Sequence, residues 1–300
     1  MRFMSMPRLT LLALLTFCFA APAATSINPV NHFAYGANIG WIDWRGDVAN
    51  GAVIGEFVAS GHIYGANVGW IHLGDGTPAN GIRYLNNSAT DFGVNHDGIG
   101  NLRGFAYGAN IGWLFFTNRA GDGTTYEGPR VDLRTGRLSG FVYGANVGWI
   151  SLSNLFAHVQ TDSIQMGPDT DGDGLPDDWE RSYAGNLTTL NGAGDNDGDG
   201  VPNSQEYLAD TDPLNSSSNL RITSFSSTSG GTANTITFTS RPTRLYEVQE
   251  RTTLSTAPAW SDSGLGLISP DAGATTTRAF SDTPSPRRFF RVEGNRPLSP

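Results

Sequence analysis

Three hundred residues are enough for two or three domains, each with a core of its own. The formal charge of −9 is unevenly placed: residues 162–212 carry 13 acids against one arginine, and the remainder of the chain sums to +3. The acidity therefore belongs to a local site and not to a surface made for a basic partner, and the absence of a basic stretch interleaved with aromatics excludes a nucleic-acid role.

Residues 1–23 read as an export signal. Arg2 and Arg8 give the positive start, residues 11–20 a short apolar core, and Ala21-Pro22-Ala23 a small-residue cleavage site. The apolar run is too short to span a bilayer, so no membrane span is expected once it is removed. The one cysteine, Cys18, lies inside this segment. A lipidated Cys18 is the alternative, and the bulky Phe17 before it argues against that. The exported chain then has no thiol nucleophile and no disulfide, and gains rigidity by other means outside the cell. The expected location is secreted, extracellular or at a bacterial cell surface.

Residues 24–160 form a predicted β-repeat domain. Tyr35-Gly-Ala-Asn-Ile-Gly-Trp41 recurs as Tyr64–Trp70, Tyr107–Trp113 and Tyr143–Trp149, with apolar residues on both sides of each copy. Each copy predicts a strand, a tight turn at Gly-Ala-Asn and a returning strand, with Asn suited to a left-handed turn position. Further strand signals precede the last three copies. A three-stranded unit stacked on its neighbours is the expectation, with the first copy as a cap. The rings of Tyr35, Trp41, Tyr64, Trp70, Tyr107, Trp113, Tyr143 and Trp149 are expected first as a repeating core. The alternative is a row of exposed rings that stack on sugars. The motif resembles repeats of exported bacterial surface proteins, some of which stand beside thrombospondin type 3-like repeats. That resemblance carries no assigned chemistry.

The acidic segment, residues 161–215, holds two twelve-residue loops. The first offers Asp169, Asp171, Asp173, the Leu175 carbonyl, Asp177 and Glu180. The second offers Asp195, Asp197, Asp199, the Val201 carbonyl, Asn203 and Glu206. Oxygen ligands at positions 1, 3, 5, 7, 9 and 12, with glycine (Gly174, Gly200) at position 6, are the EF-hand type calcium pattern. Alternate carboxylates on a tight loop converge on one point, and without a cation they repel one another. Two Ca2+ sites are therefore predicted. An acidic flexible linker is the plain alternative, which two full matches in series disfavour. Short helices are expected over 177–183 and 203–208, with Trp179, Tyr183, Tyr207 and Leu208 forming a small shared core. The Asp-x-Asp-x-Asp-Gly-Leu-Pro-Asp run and Gln205–Pro213 resemble bacterial thrombospondin type 3-like repeats, which implies the same ligands. Asp212 reads as a turn residue before Pro213. A dockerin is the nearest other resemblance, but dockerins carry Asp at position 12 and space their loops more widely.

Residues 216–293 predict a separate β domain, loosely similar to a small sandwich found at the C-terminus of exported bacterial proteins, and residues 294–300 a tail. The fold class is thus all-β with two small helices in a linker. No catalytic constellation stands out: the five histidines are scattered without zinc spacing. Loop acids such as Asp43, Glu56, Asp75, Asp97 and Glu127 supply no more than the carboxylates any β protein offers. The expected function is that of a non-enzymatic, calcium-binding structural or adhesive surface protein. Carbohydrate binding through the repeat aromatics is the alternative, and an envelope or matrix glycan or surface protein is the expected partner.

Overall fold

Around each motif, small or apolar residues alternate with aromatics at a period of two, the pattern of a strand with two unlike faces. The computed structural model describes residues 25–118, 127–228, 232–255, 259–283 and 287–299; the predicted export signal and Cys18 lie outside them. Each motif copy is an antiparallel hairpin: Ile27–Gly36 with Gly40–Asp43, Val58–Gly65 with Gly69–Gly74, Leu102–Gly108 with Gly112–Phe116, and Phe141–Gly144 with Gly148–Ser151. The N–H groups of Ile39, Val68, Ile111 and Val147 close the turns onto the carbonyls of Gly36, Gly65, Gly108 and Gly144. The next residue carries the positive φ in every copy (Gly40 79°, Gly69 79°, Gly112 77°, Gly148 75°), so each turn ends in a glycine bulge. The left-handed position therefore falls on this glycine and not on the asparagine.

The asparagines act sideways instead. Nδ2 of Asn38 donates to the Val147 carbonyl (3.1 Å), Asn67 to Ile39 (3.1 Å), Asn110 to Val68 (3.0 Å) and Asn146 to Ile111 (3.0 Å). Each hairpin is thereby tied to a neighbour, and the fourth to the first. Asn67→Ala is expected to remove about 1 kcal/mol of barrel stability. Denaturant unfolding reads the change, and an unshifted midpoint would mean that the ring does not contribute.

The sheet closes. The second strand of each hairpin pairs with the first strand of the next: Asp43 opposes Tyr64, His72 opposes Tyr107, Phe115 opposes Tyr143, and Ser151 returns to Tyr35. Each joint is shifted by two residues from the Tyr–Trp pair, which tilts the strands and curls the sheet until its edges meet. Short strands do precede copies two to four, at Val53–Ile54, Val94–His96 and Arg130–Val131 with Leu138–Ser139. The units are nevertheless not a linear stack with a cap: the first copy pairs with the last, which leaves no edge exposed among the hairpins.

Inside the barrel, Ala34, Ile42, Ile63, Ile71, Ala106, Leu114, Val142 and Ile150 are buried, and Ile39, Val68, Ile111 and Val147 plug the turn end. Trp44 packs edge-on to Phe116 within the same core. The repeat tyrosines and tryptophans are therefore not the core. Tyr35 pairs with Trp41 on the face opposite Ala34 and Ile42, and at the level of the hairpin motifs the interior is filled by small and aliphatic side chains.

Helix α1 (Asp177–Ala184) and helix α2 (Asn203–Ala209) follow, close to their predicted bounds. The C-terminal domain sets one three-stranded sheet (Ile222–Ser227, Ala233–Thr239, Thr275–Ser281) beside another (Ser261–Asp262, Leu245–Arg251, Phe289–Asn295). Ile236, Phe238, Tyr246, Val248, Ile268 and Phe280 form its core. The expected tail is no tail: the last strand runs to Asn295, Arg296 is buried, the Ile164 N–H donates to the Leu298 carbonyl (3.0 Å), and Leu298 packs on the barrel core. The all-β expectation with two small helices holds. Among the described residues no helix is long and apolar enough to cross a membrane.

Candidate metal centre

The two loops wind the same way because their spacing repeats. In the first, Asp169 accepts from the backbone N–H groups of Gly172, Asp173 and Gly174. In the second, Asp195 accepts from Gly198 and Gly200. The glycines at position 6, Gly174 and Gly200, both have a φ of 92°, which opens the sharp turn to them and closes it to most side chains. The result is two carboxylate triads, Asp169–Asp171–Asp173 and Asp195–Asp197–Asp199, each with one oxygen per residue within 4.8 Å of the others.

Both position-12 glutamates are fully buried. Among the described residues neither Glu180 carboxylate oxygen has a hydrogen-bond partner; Glu206 meets the Thr211 hydroxyl at 3.3 Å through one oxygen and leaves the other unpaired. Burial pushes the Glu180 carboxyl up to about 7, reinforced by Asp173, Asp171, Asp177 and Asp169. Glu206 is likewise pushed up to about 7, by burial and then by Asp197. One oxygen of Asp197 is also buried and unpaired. Such groups are costly to bury without a positive charge, and a hard divalent cation with oxygen ligands is what this donor set fits.

The position-9 residues do something other than the spacing implied. Asp177 accepts from the Thr170 N–H and hydroxyl (2.7 Å each) and from Arg181 (3.2 Å). Burial raises its carboxyl, but those partners outweigh it and hold Asp177 below the ordinary range. Asn203 accepts from the Asn196 N–H and donates to the Asn191 carbonyl and the Asn196 side chain. Both brace position 2 of their loop and stand outside the triads. Leu175 and Val201 give their N–H groups to Asp173 and Asp199, and the Leu175 side chain is buried in a small core.

That core joins Leu175, Trp179, Leu190 and Tyr207, with Tyr183 and Phe57 against it. Leu208, expected inside, is exposed, and Phe57 from the barrel takes its place. No periodicity within the acidic segment could have named Phe57. Gly192, in the connection between the loops, ties to both: its N–H donates to Asp173 and its carbonyl accepts from the Ser204 N–H, each at 3.1 Å.

On the barrel wall the four Tyr–Trp pairs repeat one geometry. Tyr35–Trp41, Tyr64–Trp70 and Tyr107–Trp113 have ring centroids 4.9 Å apart, and Tyr143–Trp149 4.8 Å, tilted by 53–60°. The tryptophans are 38–47% exposed. They are spread around the barrel and not set in one line, because each pair belongs to a different hairpin.

No curated protein and no solved structure matches the chain significantly. The family model of the bacterial TSP3 repeat does match, over residues 169–185 and 195–216, and it covers both loops with the helices that follow them.

Proposed function

We propose that the chain is a secreted, non-enzymatic structural or adhesive surface protein in which two calcium ions stiffen the junction between a β-barrel and a C-terminal β domain. The single observation that carries this is the pair of buried position-12 glutamates with unpaired oxygens beside the aspartate triads. The ligands are Asp169, Asp171, Asp173, the Leu175 carbonyl and Glu180 in one loop, and Asp195, Asp197, Asp199, the Val201 carbonyl and Glu206 in the other. A bound ion supplies the positive charge that the buried carboxylates lack. Trp179 precedes Glu180 and Tyr207 follows Glu206, and both rings lie in the core shared with Phe57, so fixing the glutamates also fixes the contact with the barrel. Extracellular sites of this kind bind at roughly 10⁻⁴–10⁻³ M. Calorimetric titration is expected to give two sites, with Glu180→Gln and Glu206→Gln each removing one; a protein that takes up no calcium overturns the proposal.

A second reading, carbohydrate binding, is favoured by the exposure of Trp41, Trp70, Trp113 and Trp149. Solvent-facing aromatic rings offer flat apolar faces to sugars. A glycan array of the intact protein beside a Trp41→Ala/Trp113→Ala variant tests it: signal lost in the variant supports the reading, and no signal from either removes it.

A further inference from the structure

The strands Gly148–Ser151 and Val159–Thr161 both pair with Ile27–Gly36, and the chain between them leaves the barrel wall as a short hairpin. Its base is fixed. Leu152 and Val159 are fully buried in the barrel core, the Val159 N–H donates to the Leu152 carbonyl (3.0 Å), and Ser153 bridges to His158. Its tip is fixed as well. The Asn154 N–H donates to the Ala157 carbonyl (2.9 Å), and the Asn154 side-chain oxygen accepts from the N–H groups of Phe156 (2.8 Å) and Ala157 (3.0 Å). Turn positions usually go to Gly, Pro, Asn, Asp or Ser. Here the apex residues are Leu155 and Phe156, 87% and 92% exposed. An anchored turn that holds two large apolar side chains out in water is suited to burying them in something else.

The surroundings narrow the choice. Residues 150–157 carry no charge, and residues 130–139 carry Arg130, Arg134 and Arg137 against Asp132, a balance of +2 in a chain of net charge −9. The three arginines are exposed, and among the described residues none forms an ion pair. This basic segment borders the hairpin: Arg137 donates to the Ser153 hydroxyl (2.6 Å), and Gln160 donates to the Thr135 carbonyl (3.0 Å). Gln160 also accepts from Asn31 (3.1 Å), which follows the 78% exposed Val30. Protruding apolar groups beside unpaired arginines complement a bilayer, apolar inside and anionic at its headgroups. A stable protein partner needs roughly 800 Å² from each side. Two or three side chains fall short of that, whereas lipid needs no matching shape. The tip is also suited to lipid because the N–H groups of Asn154, Phe156 and Ala157 are already bonded within the turn.

We propose that the Leu155–Phe156 tip docks the protein peripherally on a bilayer that carries anionic lipid. The two side chains enter the boundary between headgroups and acyl chains, and the arginines of residues 130–139 meet the headgroups. The tip shares no residue with the calcium loops, so it stands apart from calcium binding.

The test uses the exported chain, residues 24–300, in flotation with two kinds of vesicle: phosphatidylglycerol and phosphatidylcholine in equal parts, or phosphatidylcholine alone. The protein is expected to bind the anionic vesicles at least about tenfold more tightly than the neutral ones. Leu155→Ser/Phe156→Ser should weaken that binding at least about tenfold, and Arg134→Glu about threefold or more. Neither should move the melting curve, because all three side chains are exposed. Binding should survive a chelator, which separates the tip from calcium bridging to the lipid. The inference is overturned if the parent does not float with anionic vesicles, if the double variant floats as well as the parent, or if chelator abolishes binding. Sedimentation velocity that shows the parent self-associating, and Leu155→Ser/Phe156→Ser not, in the absence of flotation would overturn it too and make the tip a contact between copies.

Discussion

Chelating calcium is expected to expose the chain after Glu180 and Glu206 to a glutamate-specific protease, while both β domains keep their strand signal. In the folded block these glutamates are fully buried and out of reach. Without a cation each stands beside three aspartates, and little else holds the segment. Helices of eight and seven residues are too short to persist alone, and their core has four fully buried members. A ligand that binds only the folded block adds about 2.7 kcal/mol per site at a hundredfold excess over Kd, a large share of what such a block can have. The pH response has a definite sign. Burial and the neighbouring aspartates raise Glu180 and Glu206 from 4.5 to about 7, so the folded block holds more protons than the unfolded one between those values. In chelator the block therefore loses stability as pH rises from 4.5 towards 7 and regains it on acidification. Calcium, by taking the place of those protons, should flatten or invert the trend. Calorimetric melting curves across this pH range, with and without chelator, read both effects, and identical protease patterns in the two conditions would sink the idea.

The calcium loops were legible because their chemistry is local: alternate aspartates, Gly174 or Gly200, and a glutamate two turns on need nothing from elsewhere in the chain. Asp177 and Asn203 show where that locality ends. Spacing alone cannot reveal that the position-2 N–H groups of Thr170 and Asn196 claim them. The hairpins were legible as hairpins, but the face carrying Tyr35 and Trp41 was not. Size at the neighbouring positions holds the clue: Ala34 and Ala106 sit where the barrel interior has room for little more, so at that level the rings of Tyr35 and Trp41 take the outer face. Closure was invisible, because Tyr35 meets Ser151 only through the stagger summed around the sheet. Likewise no local pattern ties Glu56 to Tyr207 and Arg296, which come together only when three separate units dock.

Glu56→Ala is expected to cost about 3–5 kcal/mol, the usual penalty for removing one partner of a buried ion pair. Glu56 lies just before the second hairpin of the barrel. Its carboxylate receives the Tyr207 hydroxyl of α2 at 2.9 Å and Arg296 Nε of the C-terminal segment at 2.5 Å. The pair is 7% and 10% exposed, so water replaces neither bond. Arg296 also lies over the Tyr207 ring at 5.5 Å, and burial, then Glu56, hold the Tyr207 hydroxyl protonated as a donor. One carboxylate thus joins the barrel, the calcium block and the chain end. Removing it leaves a buried guanidinium uncompensated and a phenol unpaired, and the contact between units should loosen before either β domain unfolds. Small-angle scattering should then show a more extended protein at room temperature, and calorimetry should resolve two transitions where the parent shows one. Glu56→Gln keeps an acceptor for Tyr207 but not the charge, so it should fall between parent and Glu56→Ala. The double variant Glu56→Leu/Arg296→Met removes both charges together and should recover most of the loss. If Glu56→Ala unfolds in one step with parental dimensions, the carboxylate stabilises the barrel alone and does not tie the units together.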